Sequence, residues 1–391
     1  MRTKLSAIVL ACALLLLAAC APQAAGAGET QNAQWLAEAR LDAHETPEEL
    51  YQLALAEDTI MIYSNTSRML EVKKSFEAQY PGLVVEVMDT RTYEIVRLLK
   101  EHRTAGTSLC DLVVLEDQNA LLSRELVPEG IVYKYVPWDI AEHITPEHNT
   151  EVLTFLGESE LLFYNDQVYD EPPVLNWWQL TEPEFYGKVY FANPLKSTPI
   201  YALFLSFIEH SDKMADAYEQ LYGVPLEIPE GSSAGHEFIR MLTQNGAVLT
   251  NSSDEVSQAV GGPGQTDPPV GIMISSKIRH RDIGYNLAPT YQLEPFSGIY
   301  APNCVMVAEG ASNISGAKLF VRWLLGETDG TGAGMEPYLD SGTWPVRSDV
   351  QGKEEIPLAQ TGVLMLNKDF IYENGTSFAA FWNTLMEESG Y

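Results

Sequence analysis

The chain has 391 residues, and its 54 acidic and 24 basic side chains give a formal net charge of −30 at neutral pH. So acidic a chain repels nucleic acid and anionic lipid surfaces, which excludes nucleic-acid binding as its function. With any leader removed, its length is enough for about two domains.

The first 19 residues predict a lipoprotein signal peptide. The basic start MRTK precedes an apolar run over 8–17 that is too short to span a bilayer. The run ends in LAAC, which is similar to the lipobox of bacterial lipoproteins and predicts lipidation of Cys20. An ordinary secretory signal with a chance cysteine is the alternative. We interpret residues 20–46 as the lipidated cysteine and a tether, because the Ala, Gly, Gln and Pro residues of 21–34 cannot bury a core.

The remaining cysteines do not predict a metal site. Cys12 leaves with the leader, while Cys110 and Cys304 lie beside apolar, strand-like runs. No Cys-x-x-Cys or Cys/His spacing typical of zinc occurs, and no cofactor is expected. Two buried free thiols are the favoured interpretation, although an exported protein could also form a disulfide.

Strand and helix signals alternate in the first part of the chain. Strands are predicted over 59–63, 83–88 and 109–115, and helices over 47–58, 69–79, 93–102 and from 120. This alternation predicts parallel strands with right-handed crossovers, and therefore an open α/β sheet. Ligands of such sheets bind beyond the carboxyl ends of the strands, so 64–67, 89–92 and 116–119 are expected along one rim.

The second part continues with mixed elements and no fixed-period repeat. The predicted strands are 152–164, 187–192, 247–250, 269–274 and 299–307, and the predicted helices are 199–209, 214–222, 235–244, 254–260 and 317–325.

Six stretches in this order resemble the extracellular solute-binding proteins of ABC importers, in particular the branch of ferric-ion, sugar-phosphate, phosphonate and polyamine binders. They are ELYQLALAEDTIMIYSNTS, VKKSFEAQYPGLVVEV, CDLVVLED, LFYNDQVYDEPPVLNWWQLTEPEFYGKVYFANP, SSDEVSQAVGGPGQTDPPVGIMISS, and AKLFVRWLLGETDG with the later GTWPVRSDV. The resemblance covers roughly residues 48–350.

The resemblance implies a two-lobed, type II-like periplasmic-binding-protein fold that clamps a ligand in the cleft by hinge closure. Lobe 1 would comprise 47–154 plus 300–391, and lobe 2 would comprise 155–299. The chain would leave lobe 1 near Phe155 and return near Tyr300. The third strand and the returning strand would then be neighbours. A disulfide between Cys110 and Cys304 therefore remains an alternative to two free thiols.

The candidate ligand-binding residues are mostly hydroxyl and basic side chains after predicted strands. Hydroxyls and free N–H groups at helix starts bind anions, and an arginine such as Arg91 can bind a carboxylate or phosphate with two hydrogen bonds. Helix caps, solvated turns and a packed tyrosine are the alternatives. The resemblance implies that a ferric-ion binder would often carry two adjacent tyrosines after the strand that begins near Val270, whereas here Tyr285 and Tyr291 stand apart, which argues against ferric ion. The candidates are Ser64, Asn65, Thr66, Ser67, Arg91, Thr92, Lys196, Ser197, Thr198, Ser275, Ser276 and Tyr300.

No motif predicts an enzyme. GSSAG at 231–235 fits G-x-S-x-G, but the preceding 226–230 contains a proline and two glutamates and is a poor strand. We therefore interpret it as a helix cap. The sequence contains no H-E-x-x-H and no glycine-rich phosphate loop.

The expected function is that of an exported, lipid-anchored, monomeric solute-binding protein. It would capture a small anionic solute, or ferric ion held with an anion, and deliver it to an ABC permease. A lipid-anchored cell-surface hydrolase, glycosidase or esterase, is the alternative, and a surface adhesin is a third hypothesis. The identity of the ligand does not follow from the sequence, because one scaffold of this kind serves many solutes.

Overall fold

The computed structural model describes residues 27–389, with side chains for 32–388. The predicted leader and Cys20 lie outside the described residues. The α-helices are α1 (Ala27–Ala39), α2 (Pro47–Ala54), α3 (Met69–Gln79), α4 (Thr92–Ala105), α5 (Thr198–Glu209), α6 (Ser211–Tyr222), α7 (Ala234–Gln244), α8 (Ser253–Gly261), α9 (Ile314–Leu324) and α10 (Lys368–Ser389). The strands are β1 (Ile60–Ser64), β2 (Val85–Asp89), β3 (Leu112–Glu116), β4 (Val132–Tyr133), β5 (Leu153–Tyr164), β6 (Val189–Ala192), β7 (Val248–Thr250), β8 (Val270–Ile274), β9 (Ala288–Pro289), β10 (Gly298–Ala308), β11 (Trp344–Pro345) and β12 (Val363–Leu364).

The main strands follow the order β2-β1-β3-β10-β5-β8-β6-β7. At one end β1 is parallel to both β2 and β3, and at the other β6 is parallel to both β7 and β8. Two parallel groups are thus joined through the antiparallel strands β10 and β5. This confirms the predicted mixed α/β class and the parallel rims at which a ligand site is expected.

The strands β5 and β10 connect the two halves of the molecule. They pair with each other from Gly298 opposite Leu161 to Val305 opposite Leu153, and every residue of both is buried. These long strands occur where the resemblance places the crossings between lobes. β10 also pairs with β3, as implied, with Cys304 opposite Leu115.

Each half has its own hydrophobic core. The lobe 1 core packs the sheet β1-β2-β3 against α2, α3 and α9, with Phe76 and Phe320 in contact at a ring separation of 5.0 Å. The lobe 2 core packs β6 and β8 against α5 and α7 around Trp177 and Phe238. Separate cores allow the lobes to move as two bodies about the crossing strands.

The last helix, α10, packs on a different lobe from the one predicted. We expected 300–391 to belong to lobe 1, but the apolar side chains of α10 lie in the lobe 2 core. Those side chains are Ile371, Phe378, Trp382 and Leu385. Their spacing of 7, 4 and 3 positions puts them on one face of the helix. This apolar face is buried by packing against the apolar side chains of α5.

The segment before residue 47 also differs from the predicted tether. Residues 27–39 form α1, which lies on lobe 1: Trp35 Nε1 donates to the carbonyl of Ala311 over 3.0 Å, and Tyr133 Oη donates to Asn32 Oδ1 over 2.7 Å. A single tryptophan with a carbonyl partner is enough to dock a helix whose other side chains are mostly small or polar.

Cys110 and Cys304 are buried free thiols, as favoured from the sequence. Among the described residues, no helix combines the length and apolar character needed to cross a bilayer.

Candidate functional site

A cavity of 1310 Å³ lies between the lobes. Its walls are the loops after β1, β2 and β3 on one side, the loops after β6 and β7 and the end of β8 on the other, and part of α10. The carboxyl ends of parallel strands from both lobes therefore meet here, as the strand order predicts.

Six of the predicted binding residues line this cavity. Asn65, Arg91 and Thr92 come from lobe 1. They face Lys196, Ser197 and Thr198 from lobe 2. From the sequence these six residues are predicted as strand ends and helix starts with donors for an anion, and the fold brings them to one cavity.

A hydrogen bond joins the two walls. Thr198, the first residue of α5, donates from Oγ1 to Glu116 Oε2 over 3.0 Å. Glu116 ends β3 and was predicted as part of the rim, but not as a binding residue. The preceding Ser197 is the N-cap residue of α5 and makes no side-chain cap bond, so its hydroxyl is free for a ligand.

The loop after β1 is only partly as predicted. Ser64 is buried and its Oγ accepts from the backbone N–H of Thr66 over 3.2 Å, which closes a local turn. Neither Ser64, Thr66 nor Ser67 lines the cavity. Asn65 does, and its Nδ2 donates to Thr92 Oγ1 over 3.1 Å. The simple capping alternative also fails, because α3 has Arg68 as its N-cap residue with no side-chain cap bond.

Neither Ser275 nor Ser276 lines the cavity. Ser275 Oγ accepts from the backbone N–H of Ser159 over 2.9 Å and donates to the carbonyl of Gly342 over 2.5 Å. Ser276 Oγ accepts from Arg279 over 3.1 Å. Both hydroxyls therefore have partners within the chain: Ser275 links the residue after β8 to β5, and Ser276 bonds to Arg279.

Tyr300 points to the other face of the crossing strands. It pairs with Ser159 in the ladder, and neighbouring residues of a strand point to opposite faces, so Tyr300 and Glu158 lie on opposite sides. Its ring covers Gly157, where an added Cβ would come within 2.5 Å of Cε2. Tyr300 is therefore a packing residue that requires glycine at 157, and the structure does not bring it to the cavity.

Three carboxyl groups lie near one another: Glu116, which lines the cavity, and Glu158 and Glu160, which lie behind it. Glu158 and Glu160 share a face of β5. The charge of Glu158 acts on the pKa of Glu116, and the charges of Glu116 and Glu158 act on the pKa of Glu160. Glu158 pairs with Arg68 over 2.7 Å and also accepts from Asn303 Nδ2 over 2.7 Å. Burial raises the pKa of Glu158, but Arg68 and the donors from Ser276 and Asn303 bring it below the usual value.

The other two carboxyl groups have raised pKa values. Burial, helped by the charge of Glu158, raises the pKa of Glu116 to about 7. Burial and the charges of Glu116 and Glu158 raise the pKa of Glu160 well above its usual value. Glu160 is 1% exposed and neither of its carboxyl oxygens has a hydrogen-bond partner.

Sequence reasoning missed the contribution of the C-terminal helix. Tyr372, Glu373 and Thr376 of α10 line the cavity, and Lys368 pairs with the buried Asp117 of lobe 1 over 2.8 Å. The helical spacing of the apolar residues after 370 is the signal that could have indicated this helix.

The G-x-S-x-G match is a helix cap, as interpreted. Ser233 is the N-cap residue of α7, and its side chain accepts from the backbone N–H of His236. Residues 226–230 form no strand, so the strand-to-helix turn that exposes a nucleophilic serine is missing at this place. Within residues 32–388, no group of three or more His, Cys, Asp and Glu side chains is placed to hold a metal ion.

Comparisons with known proteins agree on the architecture. No family model matches the sequence, and no curated protein matches it. Solved structures do match. Iron-bound HitA from Pseudomonas aeruginosa has a TM-score of 0.62 and 16% identity, covering 84% of this chain and 99% of its own. The periplasmic binding protein AfuA from Actinobacillus pleuropneumoniae, with fructose-6-phosphate bound, has a TM-score of 0.62 and 16% identity, covering 86% and 99%.

The GABA receptor Atu4243 has a TM-score of 0.61 and 15% identity, covering 84% of this chain and 97% of its own. At such identities the likeness establishes the fold alone, and the three structures are described with different ligands: iron, fructose-6-phosphate and GABA. The chain therefore has the α/β fold of these periplasmic binding proteins.

Proposed function

We propose that the chain is the solute-binding component of an ABC importer and captures a small solute between its lobes. The observation that supports this most is the cavity itself, whose walls come from both lobes and are joined by the bond from Thr198 to Glu116. A solute that contacts both walls binds the closed form better than the open form, and so shifts the lobes towards closure.

We further propose that the solute carries an anionic group, a phosphate or a carboxylate, alone or together with a ferric ion. Arg91 and Lys196 line opposite walls and neither forms an ion pair with any described carboxylate. The free N–H groups at the start of α5, next to the unused hydroxyl of Ser197, add donors for an anion. Iron-bound HitA and AfuA with fructose-6-phosphate are precedents on the same fold for these ligand classes.

In this proposal no bond of the solute is made or broken. The cavity supplies donors and charges that hold a solute, and the serine of the G-x-S-x-G match is used as a cap. The hydrolase alternative therefore has no support from the site.

We propose that the protein is exported, anchored through a lipid on Cys20, and works as a monomer with ABC permease subunits. Six residues, 21–26, separate Cys20 from α1. Fully extended they span about 20 Å, so a lipid at Cys20 would hold lobe 1 close to the bilayer. Replacing Cys20 by alanine should move the protein from the membrane fraction to the soluble fraction.

Thermal-shift screening tests the capture of a solute. The panel is ferric salts, sugar phosphates, phosphonates, polyamines and amino acids. A true ligand at 100 times its Kd stabilises the folded state by about 2.7 kcal/mol. Lys196→Ala should weaken an anionic ligand, whereas Lys213→Ala, an exposed lysine on α6, serves as the matched control. No stabilisation by any class, together with turnover of an ester or glycoside, would overturn the proposal.

A further inference from the structure

Three hydrogen-bond acceptor atoms at the cavity floor, formed by Asn65 and Glu116, and just behind it have no donor from the chain. Asn65 lines the cavity, and its Oδ1 is buried without a hydrogen-bond partner. Glu116 accepts from Thr198 through Oε2, and a hydrogen bond from the side chain of Asn65 also lowers the pKa of this carboxyl group. Behind it, both carboxyl oxygens of Glu160 are buried without a donor. A polar atom buried without a partner is costly, so such a group of acceptors points to a donor that the folded chain does not itself provide.

The nearby cations of the chain are already engaged. Arg68 pairs with Glu158 over 2.7 Å, and Lys277 pairs with Asp254 over 2.7 Å. Arg279 donates to the carbonyl and hydroxyl of Ser276 over 2.8 and 3.1 Å. None of the three forms an ion pair with Glu116 or Glu160, although the charge of Arg68 acts on the pKa of Glu116 and that of Lys277 on the pKa of Glu160. Among the described residues these two carboxyl groups therefore have no ion-pair partner.

We infer that a protonated amino group of the solute binds at the cavity floor, where Glu116 and Asn65 accept its N–H donors. The inference rests on the proposed function and names one end of its solute. With an anionic end at Arg91 or Lys196 on the cavity walls, the solute would be zwitterionic. Thr198 fixes Glu116 Oε2 from lobe 2, so ionising this carboxyl group strengthens the bond that joins the lobes.

The protonation state of Glu116 gives the inference a measurable consequence. Because burial raises the pKa of Glu116 to about 7, the carboxyl group is partly protonated near neutral pH before a solute arrives. An ammonium group favours the carboxylate, so binding should release about half a proton at pH 7. An uncharged hydroxyl at the same place would release little.

Isothermal titration calorimetry with matched probes tests this. The probes are 4-aminobutyrate against butyrate, and 2-aminoethylphosphonate against ethylphosphonate, each in two buffers of different ionisation enthalpy. In at least one pair the amino member should bind tenfold or more tightly than its partner and release a proton. Equal binding by both members of each pair would overturn the inference and leave solute capture standing. Binding by none of the four would also overturn it, and the broader thermal-shift panel would then decide whether capture stands.

Two variants separate the role of Glu116 from a general effect on the fold. Glu116→Gln keeps the shape and removes the charge, so the preference for the amino member should fall below twofold and proton release should vanish. Glu101 is an exposed carboxylate on α4 that pairs with Arg97. The control variant Glu101→Gln should keep both the preference for the amino member and the proton release. If Glu116→Gln retains the full preference while folding normally, the amino group binds elsewhere and the inference is wrong.

Discussion

Thr198 Oγ1 lies 3.0 Å from Glu116 Oε2, although the two residues belong to different lobes and are 82 positions apart in the sequence. Each residue stands at the cavity end of its element: Glu116 ends β3 and Thr198 begins α5. The contact between the two lobes across the cavity therefore includes a hydrogen bond whose acceptor, Glu116, is titratable.

The first prediction concerns this bond. Thr198→Val keeps the shape of the side chain and removes the donor, leaving the carboxyl group of Glu116 without its partner from lobe 2. Hydrogen bonds to charged groups contribute about 1.5–3 kcal/mol, so the Kd of any solute held between the lobes should rise tenfold or more. Calorimetric titration measures it. Thr384→Val, whose hydroxyl bonds within α10, is the control and should bind normally. Unchanged affinity in Thr198→Val would show that the bond plays no part in closure.

The second prediction concerns the pH dependence of stability. The pKa of Glu116 is raised by burial from 4.5 to about 7, so the folded state holds this proton over a range in which the unfolded state has lost it. The stabilisation is complete below pH 4.5 and disappears as pH rises through 7. Without solute, this group should lower the free energy of unfolding by about 3 kcal/mol between pH 4 and pH 8.

Urea unfolding at several pH values checks this. The pH 4 to 8 change of the wild-type protein should exceed that of Glu116→Gln by this amount. If the two proteins show the same pH dependence, Glu116 titrates normally and the account of the cavity floor is wrong.

The third prediction concerns the contact of α10 with lobe 1. Lys368 pairs with Asp117, whose side chain is fully buried. Lys368→Met would leave that carboxylate buried without its cation and should cost about 3–5 kcal/mol. Lys353→Met removes an exposed lysine from its pair with Asp340 and should cost no more than about 1 kcal/mol. Equal losses in the two variants, measured by urea unfolding, would contradict a bridging role of α10.

The fourth prediction concerns α1. Trp35→Ala removes the hydrogen bond to Ala311 and the ring contact with Tyr133 at 5.5 Å. The helix should leave lobe 1, and trypsin should cleave faster after the exposed Arg40. Leu36→Ala, on the exposed side of the same helix, should leave the cleavage rate unchanged. If Trp35→Ala cleaves no faster than wild type, α1 is held by other contacts.

Much of the fold could be predicted because its elements carry their own patterns. The helix over 69–79 was predicted to the residue, and most other strands and helices were placed within a few positions. The exceptions depend on distant partners. The two-residue strands β4, β9, β11 and β12 exist only where a long strand offers an edge. The apolar stripe of α10 has its partner some 170 positions earlier, in α5, so its lobe could not be assigned from local sequence.

The candidate site was predictable at the level of strand ends and not of single side chains. Asn65 is predicted because residues after parallel strands share a rim, and Thr198 because it stands at a predicted helix start; both residues line the cavity. Consecutive polar residues in a tight turn point in different directions, and a sequence does not say that Ser64 turns inward while Asn65 faces the cavity. The hydroxyl of Ser275 donates to the carbonyl of Gly342, which lies 67 positions later, so local sequence does not indicate this bond.

One measurement tests solute capture by lobe closure most directly. Spin labels at Glu71→Cys on α3 and Lys213→Cys on α6, in a chain with Cys20→Ser, report the distance between the lobes. Both positions are exposed, whereas Cys110 and Cys304 are buried. The solute giving the largest thermal shift should move the distance distribution towards the value that these positions have in the structure. A distribution that no stabilising solute changes would contradict the account.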